Sequence, residues 1–193
     1  MKFRELAGAY ERIEATSGRL DMMALLAEIF KPASASEISK IIYLSQGVVA
    51  PPFAGLEVGM GEKFVIQAIS VATGYSPSAV EKHYKKSGDL GDTASALIAE
   101  KKQQSLHSEE LTLAKVFASF TKIAGFSGPG TQDRKIDSLV ELLNSASPLE
   151  AKYIIRVPIG KLRLGAGDAT VLEALSIAKK GDRSEKDELE RAY

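Results

Sequence analysis

Apolar residues recur at helical spacing along most of the chain. Leu6, Tyr10 and Ile13 form one such set, Leu25, Leu26, Ile29 and Phe30 a second, and Leu139, Leu142 and Leu143 a third. Positions three and four apart share one face of a helix, so each set predicts an amphipathic helix that buries that face. No run shows the strict alternation of a half-buried strand. Start signals agree with this reading. Ser147-Pro148-Leu149-Glu150 places serine at the N-cap, proline at the first helical position and glutamate at the third, a capping box worth about 1 kcal/mol. Ser34 and Glu37 have the same spacing. Gly74, Gly125 and Gly181 read as stops. Pro158 should end or kink the helix that begins after Ser147, because proline lacks the amide donor and clashes with the preceding turn. The polar stretch at 101–109 reads as a linker or an exposed turn. The expected fold class is all-α.

The same patterning occurs twice. LEVGMGEKFVIQAISVA at Leu56–Ala72 aligns without a gap on LRLGAGDATVLEALSIA at Leu162–Ala178, sharing a leucine, both glycines, a valine, two alanines and a serine. Upstream, Leu26–Phe30 meets Leu139–Leu143, Glu37 meets Glu150, and Ile41-Ile42 meets Ile154-Ile155; downstream, Val80–Tyr84 meets Leu189–Tyr193. The chain therefore divides into copy one at about 1–100, a linker at about 101–109 and copy two at about 110–193. Duplicated helical units are expected to pack about a pseudo-twofold axis. Copy one continues past Tyr84 into a further turn and helix, whereas copy two stops at Tyr193. A unit cut off partway reads as a piece of a longer protein; a second unit that evolved shorter is the alternative.

Two glycine loops open onto helices. One is GPGTQDRK at Gly128–Lys135, the other RLGAG at Arg163–Gly167, and Lys152, Arg156, Lys161 and Arg163 lie between them with no acidic residue from Lys152 to Arg163. Glycine lets backbone amides approach an anion closely, and a helix N-terminus supplies unpaired donors and positive partial charge. That chemistry makes phosphate binding one reading of the two loops. Ordinary helix connections with solvated charges would give the same pattern.

Charge changes the picture little. The chain of 193 residues carries 25 basic and 25 acidic side chains, and a neutral total leaves room for a basic face on one side. Cysteine is absent, which removes disulfides and thiolate metal sites, and no apolar run approaches a signal or membrane-spanning segment. A cytoplasmic protein is expected. Tryptophan is absent and aromatics are few, which disfavours a stacking platform for single strands. His83 and His107 are far apart and lack ligand-spaced carboxylates, which argues against a catalytic metal site. Asp89 and Asp92 flank a glycine turn and read as helix caps.

GTQDRK at Gly130–Lys135, SPLEAKYIIR at Ser147–Arg156 and GKLRLGAGDATVLEAL at Gly160–Leu175 together resemble the N-terminal DNA-binding domain of archaeal and eukaryotic ATP-dependent DNA ligases. So do YLSQG at Tyr43–Gly47, APPF at Ala50–Phe53, VGMGEK at Val58–Lys63 and SGDLGD at Ser87–Asp92, in order along nearly the whole chain. The resemblance implies an all-helical, duplicated domain that grips the minor-groove face of a nicked duplex through backbone contacts, without base specificity, for nick sealing in replication, recombination and repair. It implies ATP and Mg2+ as cofactors of the parent enzyme, whose nucleotidyltransferase and OB domains are absent here, and none for this chain. The lysine of a K-x-D-G motif would take AMP in the parent; that motif does not occur in this sequence, so self-adenylation and sealing are not expected. A helical protein-interaction scaffold without DNA binding is the alternative reading, and a stand-alone enzyme a third.

By matching position, the resemblance implies DNA contacts from Gly130, Thr131, Gln132 and Lys135, from Arg163, Gly165 and Gly167, from their copy-one mates Gly59, Gly61 and Lys63, and from the turn at Gly88, Asp89 and Gly91. Arg156 and Lys161 are further candidates. Archaeal relatives often carry a sliding-clamp motif between the copies, a glutamine followed by two aromatics. Here Gln103 is followed by Leu106 and His107 instead, which leaves a degenerate clamp contact or a plain polar linker. Glu57 stands where copy two has Arg163, and the loop with Arg134 and Lys135 exists only in copy two. Coulomb attraction is therefore expected mainly from copy two. Arg163→Ala should weaken duplex binding several-fold and lower its salt slope by about one, while Glu57→Ala leaves it unchanged or slightly stronger.

Overall fold

The computed structural model describes residues 1–101, 110–162 and 164–192. Among them the regular structure is helical, with no strand beyond one isolated bridge between Lys2 and Thr112. Copy one supplies α1 (Phe3–Glu14), α2 (Arg19–Phe30), α3 (Ala35–Ser45), a short 3-10 turn at Pro52–Ala54, α4 (Glu62–Thr73), α5 (Pro77–Ser87) and α6 (Leu90–Ala99). Copy two supplies α7 (Leu113–Gly125), α8 (Thr131–Ser145), α9 (Pro148–Arg156), α10 (Asp168–Lys180) and α11 (Lys186–Ala192).

The helices begin and end for the reasons read in the sequence. Glu150 accepts the Ser147 amide at 2.8 Å while Ser147 Oγ accepts the Glu150 amide at 3.4 Å, and Glu37 accepts the Ser34 amide at 2.9 Å. Asp89 caps α6 by accepting the Asp92 amide at 2.9 Å. Gly74 and Gly181 follow α4 and α10 in the left-handed conformation, and α9 stops at Arg156, two residues before Pro158.

Packing crosses between the copies. α4 lies on α8, α10 on α2, α6 on α9 and α3 on α7, while α1 touches α2, α7 and α9. The apolar sets predicted from spacing meet in one core: Leu6, Tyr10, Ile13, Leu26, Leu139 and Leu142 are almost fully buried. Each such side chain contributes about 1.5–3 kcal/mol on leaving water. Tyr10 and Tyr153 meet edge to face at 5.4 Å between ring centroids, joining α1 to α9. No helix among the described residues is long and apolar enough to cross a membrane.

Candidate nucleic-acid interface

Crossed packing fastens the copy-one glycine loop to copy two. The copy-one loop at 58–61 is fastened to the segment after α9 by the Met60 amide, which donates to the Pro158 carbonyl at 2.8 Å. Lys135, one turn into α8, donates to the carbonyls of Val58 and Gly59 at 3.2 Å each. Lys161 reaches the Glu62 carboxylate at 2.8 Å, and Tyr84, in the last turn of α5, donates to the same oxygen at 2.9 Å. Gln46 donates to Asp168 at the start of α10. Loops from both copies, the start of α8 and the end of α5 thus form one connected region.

Within it, the two glycine loops share a helix entry. Gly61 and Gly167 are N-caps in extended conformation, and each carbonyl accepts the amides three and four residues on. Both are exposed, and the next amides in α4 and α10 are orphan donors of a helix N-terminus. Two residues earlier the loops differ. Gly165 is left-handed at φ +65°, where an L side chain is strained, whereas Gly59 is not left-handed and has open space around it. Lys63 is exposed in the first turn of α4.

The remaining candidates fall into two groups. Gly130 caps α8 at φ +72°, Gln132 is exposed, and Thr131 bonds back to the Gly128 carbonyl. Gly88 is exposed at φ +74°, its amide donating to the Tyr84 carbonyl at 2.8 Å. Lys135, Gly91 and Arg156, in contrast, are turned inward. Lys135 is buried on the carbonyls named above, so its ammonium shapes the copy-one loop. Gly91 lets α6 lie directly on α9: a Cβ there would meet the Lys152 carbonyl oxygen at 2.5 Å. Arg163, Gln103, Leu106 and His107 lie outside the described residues.

Arg156 is the centre of a buried ion network that the sequence did not reveal. Its guanidinium, 6% exposed, donates to Glu14 at 2.7 Å, Asp89 at 3.1 Å and Asp92 at 3.4 Å. Lys152 adds bonds to Glu14 at 3.0 Å and Asp92 at 3.3 Å, and the Tyr153 hydroxyl donates to Glu14 at 3.0 Å. Burial opposes charge on Glu14, yet the hydrogen bonds from Lys152, Arg156 and Tyr153 outweigh it and hold its pKa below the ordinary glutamate value. Burial and the Glu14 carboxylate both push the Tyr153 phenol up, so it stays a donor. At the surface, Lys161 and Tyr84 lower the pKa of Glu62, and Glu62 raises that of Lys161.

Among the described residues no group of three histidine, cysteine or acidic side chains is placed to hold a metal ion. A groove of about 530 Å³ lies elsewhere, between Arg4, Lys101, Leu111 and the start of α9, away from the glycine loops. Lys82, Lys85 and Lys86 escaped notice as site residues, although their spacing places them together on the outer face of α5.

A family profile described as the DNA ligase N terminus matches residues 2–176. Across all of its residues the chain is 43% identical to "DNA ligase 2" of Korarchaeum cryptofilum, 43% to "DNA ligase" of Acidianus ambivalens and 44% to "DNA ligase" of Sulfurisphaera tokodaii. It covers 32%, 34% and 34% of those proteins, so it spans about a third of the length of the relatives it matches.

Proposed function

The chain belongs to the DNA ligase N-terminus family, and on that premise we propose that it is the part of an ATP-dependent DNA ligase that holds nicked duplex DNA by its backbone, across the minor-groove face. The observation that supports this most is the fastening of the copy-one glycine loop to the segment after α9 and to the start of α8, by the Met60–Pro158 and Lys135–Gly59 bonds, with the end of α5 beside it through Tyr84 and Glu62. Exposed glycines and helix-start amides suit phosphates and carry no base information. The crossed packing of α4 on α8 and α10 on α2 supports reading the copies as halves related by a pseudo-twofold axis, which suits the antiparallel strands of a duplex.

In this reading Gly59, Gly61, Lys63, Gly165, Gly167, Gly130, Gln132 and Arg163 face DNA, while Arg156, Gly91 and Lys135 position the elements that do so. Adenylation with ATP and Mg2+ belongs to the remainder of the parent enzyme, acting in the cytoplasm with this chain as its clamp. A scaffold without DNA binding draws support from one observation: Arg156, Lys152 and Lys161 satisfy carboxylates within the chain. Salt titration of binding to nicked duplexes of unrelated sequence separates the two. We expect equal affinity for each sequence, falling with salt by about 0.9 in log–log slope per neutralised phosphate. No binding at low salt, or strong preference among sequences, sinks the clamp reading. Incubation with labelled ATP should yield no lysine–AMP adduct.

A further inference from the structure

We propose that the outer ridge of α5, Lys82, Lys85 and Lys86, together with Lys63 at the start of α4, is a second phosphate track that carries the duplex on the copy-one side of the glycine loops. This rests on the duplex-binding reading above. α5 turns Val80, His83 and Tyr84 inward and leaves the three lysines exposed on the opposite side. Their spacing of three and four residues stacks them on one face.

The other cations of the fold set this ridge apart. Most of the described lysines and arginines are engaged by the protein itself: Arg12 by Glu28, Arg19 by Glu173, Arg156 by three carboxylates, Lys186 by Glu173 and Glu190, Lys101 by the Ala72 carbonyl. Lys31, Lys63, Lys82, Lys85 and Lys86 alone among the described residues make no ion pair, hydrogen bond or ring contact. Four of these five sit on the packed pair α4 and α5. Three of the nearby carboxylates are already met, Glu62 by Lys161 and Tyr84, Asp89 by Arg156, and Asp92 by Lys152 and Arg156, while Glu57 is exposed in the loop before Gly59. Glu81 flanks the ridge as its one exposed acid on α5. Three lysines against one glutamate leave this outer face net positive.

The ridge is also fixed in place. Tyr84 ties the last turn of α5 to Glu62, directly after the Gly61 cap, and Lys161 closes the same contact from copy two. Lys85 and Lys86 complement the helix dipole in the last turn, but Lys82 lies a turn earlier, beyond that explanation. From Lys82 to Lys86 the helix advances about 6 Å. A strand sets a phosphate every 3.4 Å or so of duplex axis, so about two phosphates fall within the ridge.

The test is a salt titration of duplex affinity for the 193-residue chain, for a variant with Lys82, Lys85 and Lys86 all changed to Gln, for one with all three changed to Arg, and for Lys31→Gln. The glutamine variant should lose about 2 from the log–log salt slope, at about 0.9 per phosphate. Its affinity should fall at least tenfold at 0.1 M salt, while the arginine variant and Lys31→Gln behave as the parent. Circular dichroism confirms equal helicity. If the parent binds and the glutamine variant keeps its slope, the track is wrong and the clamp reading stands. Equal loss in the glutamine and arginine variants also overturns it, because charge would not be the cause. If the parent itself does not bind duplex DNA, both readings fall.

Discussion

The two glycine loops align residue for residue, yet their surroundings divide the work differently. Around the copy-two loop, the described cations Lys152, Arg156 and Lys161 are all held by carboxylates of copy one: Glu14, Asp89, Asp92 and Glu62. Around the copy-one loop, Lys63 and the α5 lysines are held by nothing among the described residues. Among the described residues beside the loops, the copy-two cations fasten the copies together and the copy-one cations face solvent. Counting charges along the sequence places the attraction in copy two, on Arg163, Arg134 and Lys135; of these Arg163 lies outside the described residues and Lys135 is buried on the Val58 and Gly59 carbonyls. A charge contributes to an outward field only when no partner in the fold neutralises it.

The largest expected effect tests the inward side of this contrast. Arg156→Met leaves Glu14, Asp89 and Asp92 facing an apolar side chain. Breaking a buried pair from one side typically costs about 3–5 kcal/mol, and the lower end applies because Glu14 and Asp92 keep contact with water at 30% and 46% exposure. Urea denaturation should show it, while Lys63→Met should leave the urea midpoint where it was. If the two substitutions cost the same, the contrast between engaged and free cations is false.

Acid should reveal the same network more gently. The folded pKa of Glu14 lies below its unfolded value, so its contribution is complete above about pH 4.3 and is lost as pH falls through the folded value. The parent chain should lose more stability between pH 7 and pH 3 than Arg156→Met, which has already forfeited one of the bonds that hold Glu14 charged. Parallel pH dependence in the two proteins would remove Arg156 as the source of that linkage.

Much of the fold was legible because its causes are local. The Ser147 box, the Pro158 stop and the glycine ends of α4 and α10 depend on residues within one turn. The repeat likewise pointed to both glycine loops. What the sequence hid is long-range. Arg156 finds Glu14 across 142 residues and Asp89 across 67, and Lys135 finds Val58 across 77. Nothing in the spacing of Lys152 and Arg156 says whether their shared helix face meets water or acid. Gly91 was read as a turn glycine for the same reason: its crowding comes from α9, more than 60 positions away in sequence. The lysines of α5 were visible as a run, but their freedom from partners emerges only once the other cations are placed.

Glycine itself gives the finest comparison, because three candidate glycines are glycine for three reasons. At Gly91, a methyl would strike the Lys152 backbone oxygen at 2.5 Å, which cannot swing aside, so Gly91→Ala should cost about 1–3 kcal/mol through overpacking between α6 and α9. At Gly165 the nearest atom is the flexible end of Met22 at 3.9 Å, so only the φ of +65° resists. Gly165→Ala should cost about 1–2 kcal/mol from backbone strain alone. At Gly59 neither crowding nor a left-handed backbone applies, and Gly59→Ala should change stability by less than about 0.5 kcal/mol. Folding therefore gives no reason for glycine at 59, whereas close approach of a phosphate to the backbone does. The expected outcome is a Gly59→Ala chain with the parent's urea midpoint and a weaker grip on duplex DNA, its salt slope nearly unchanged because no charge is lost. Parent-like affinity would remove Gly59 from the contact surface and leave the copy-one side to its lysines.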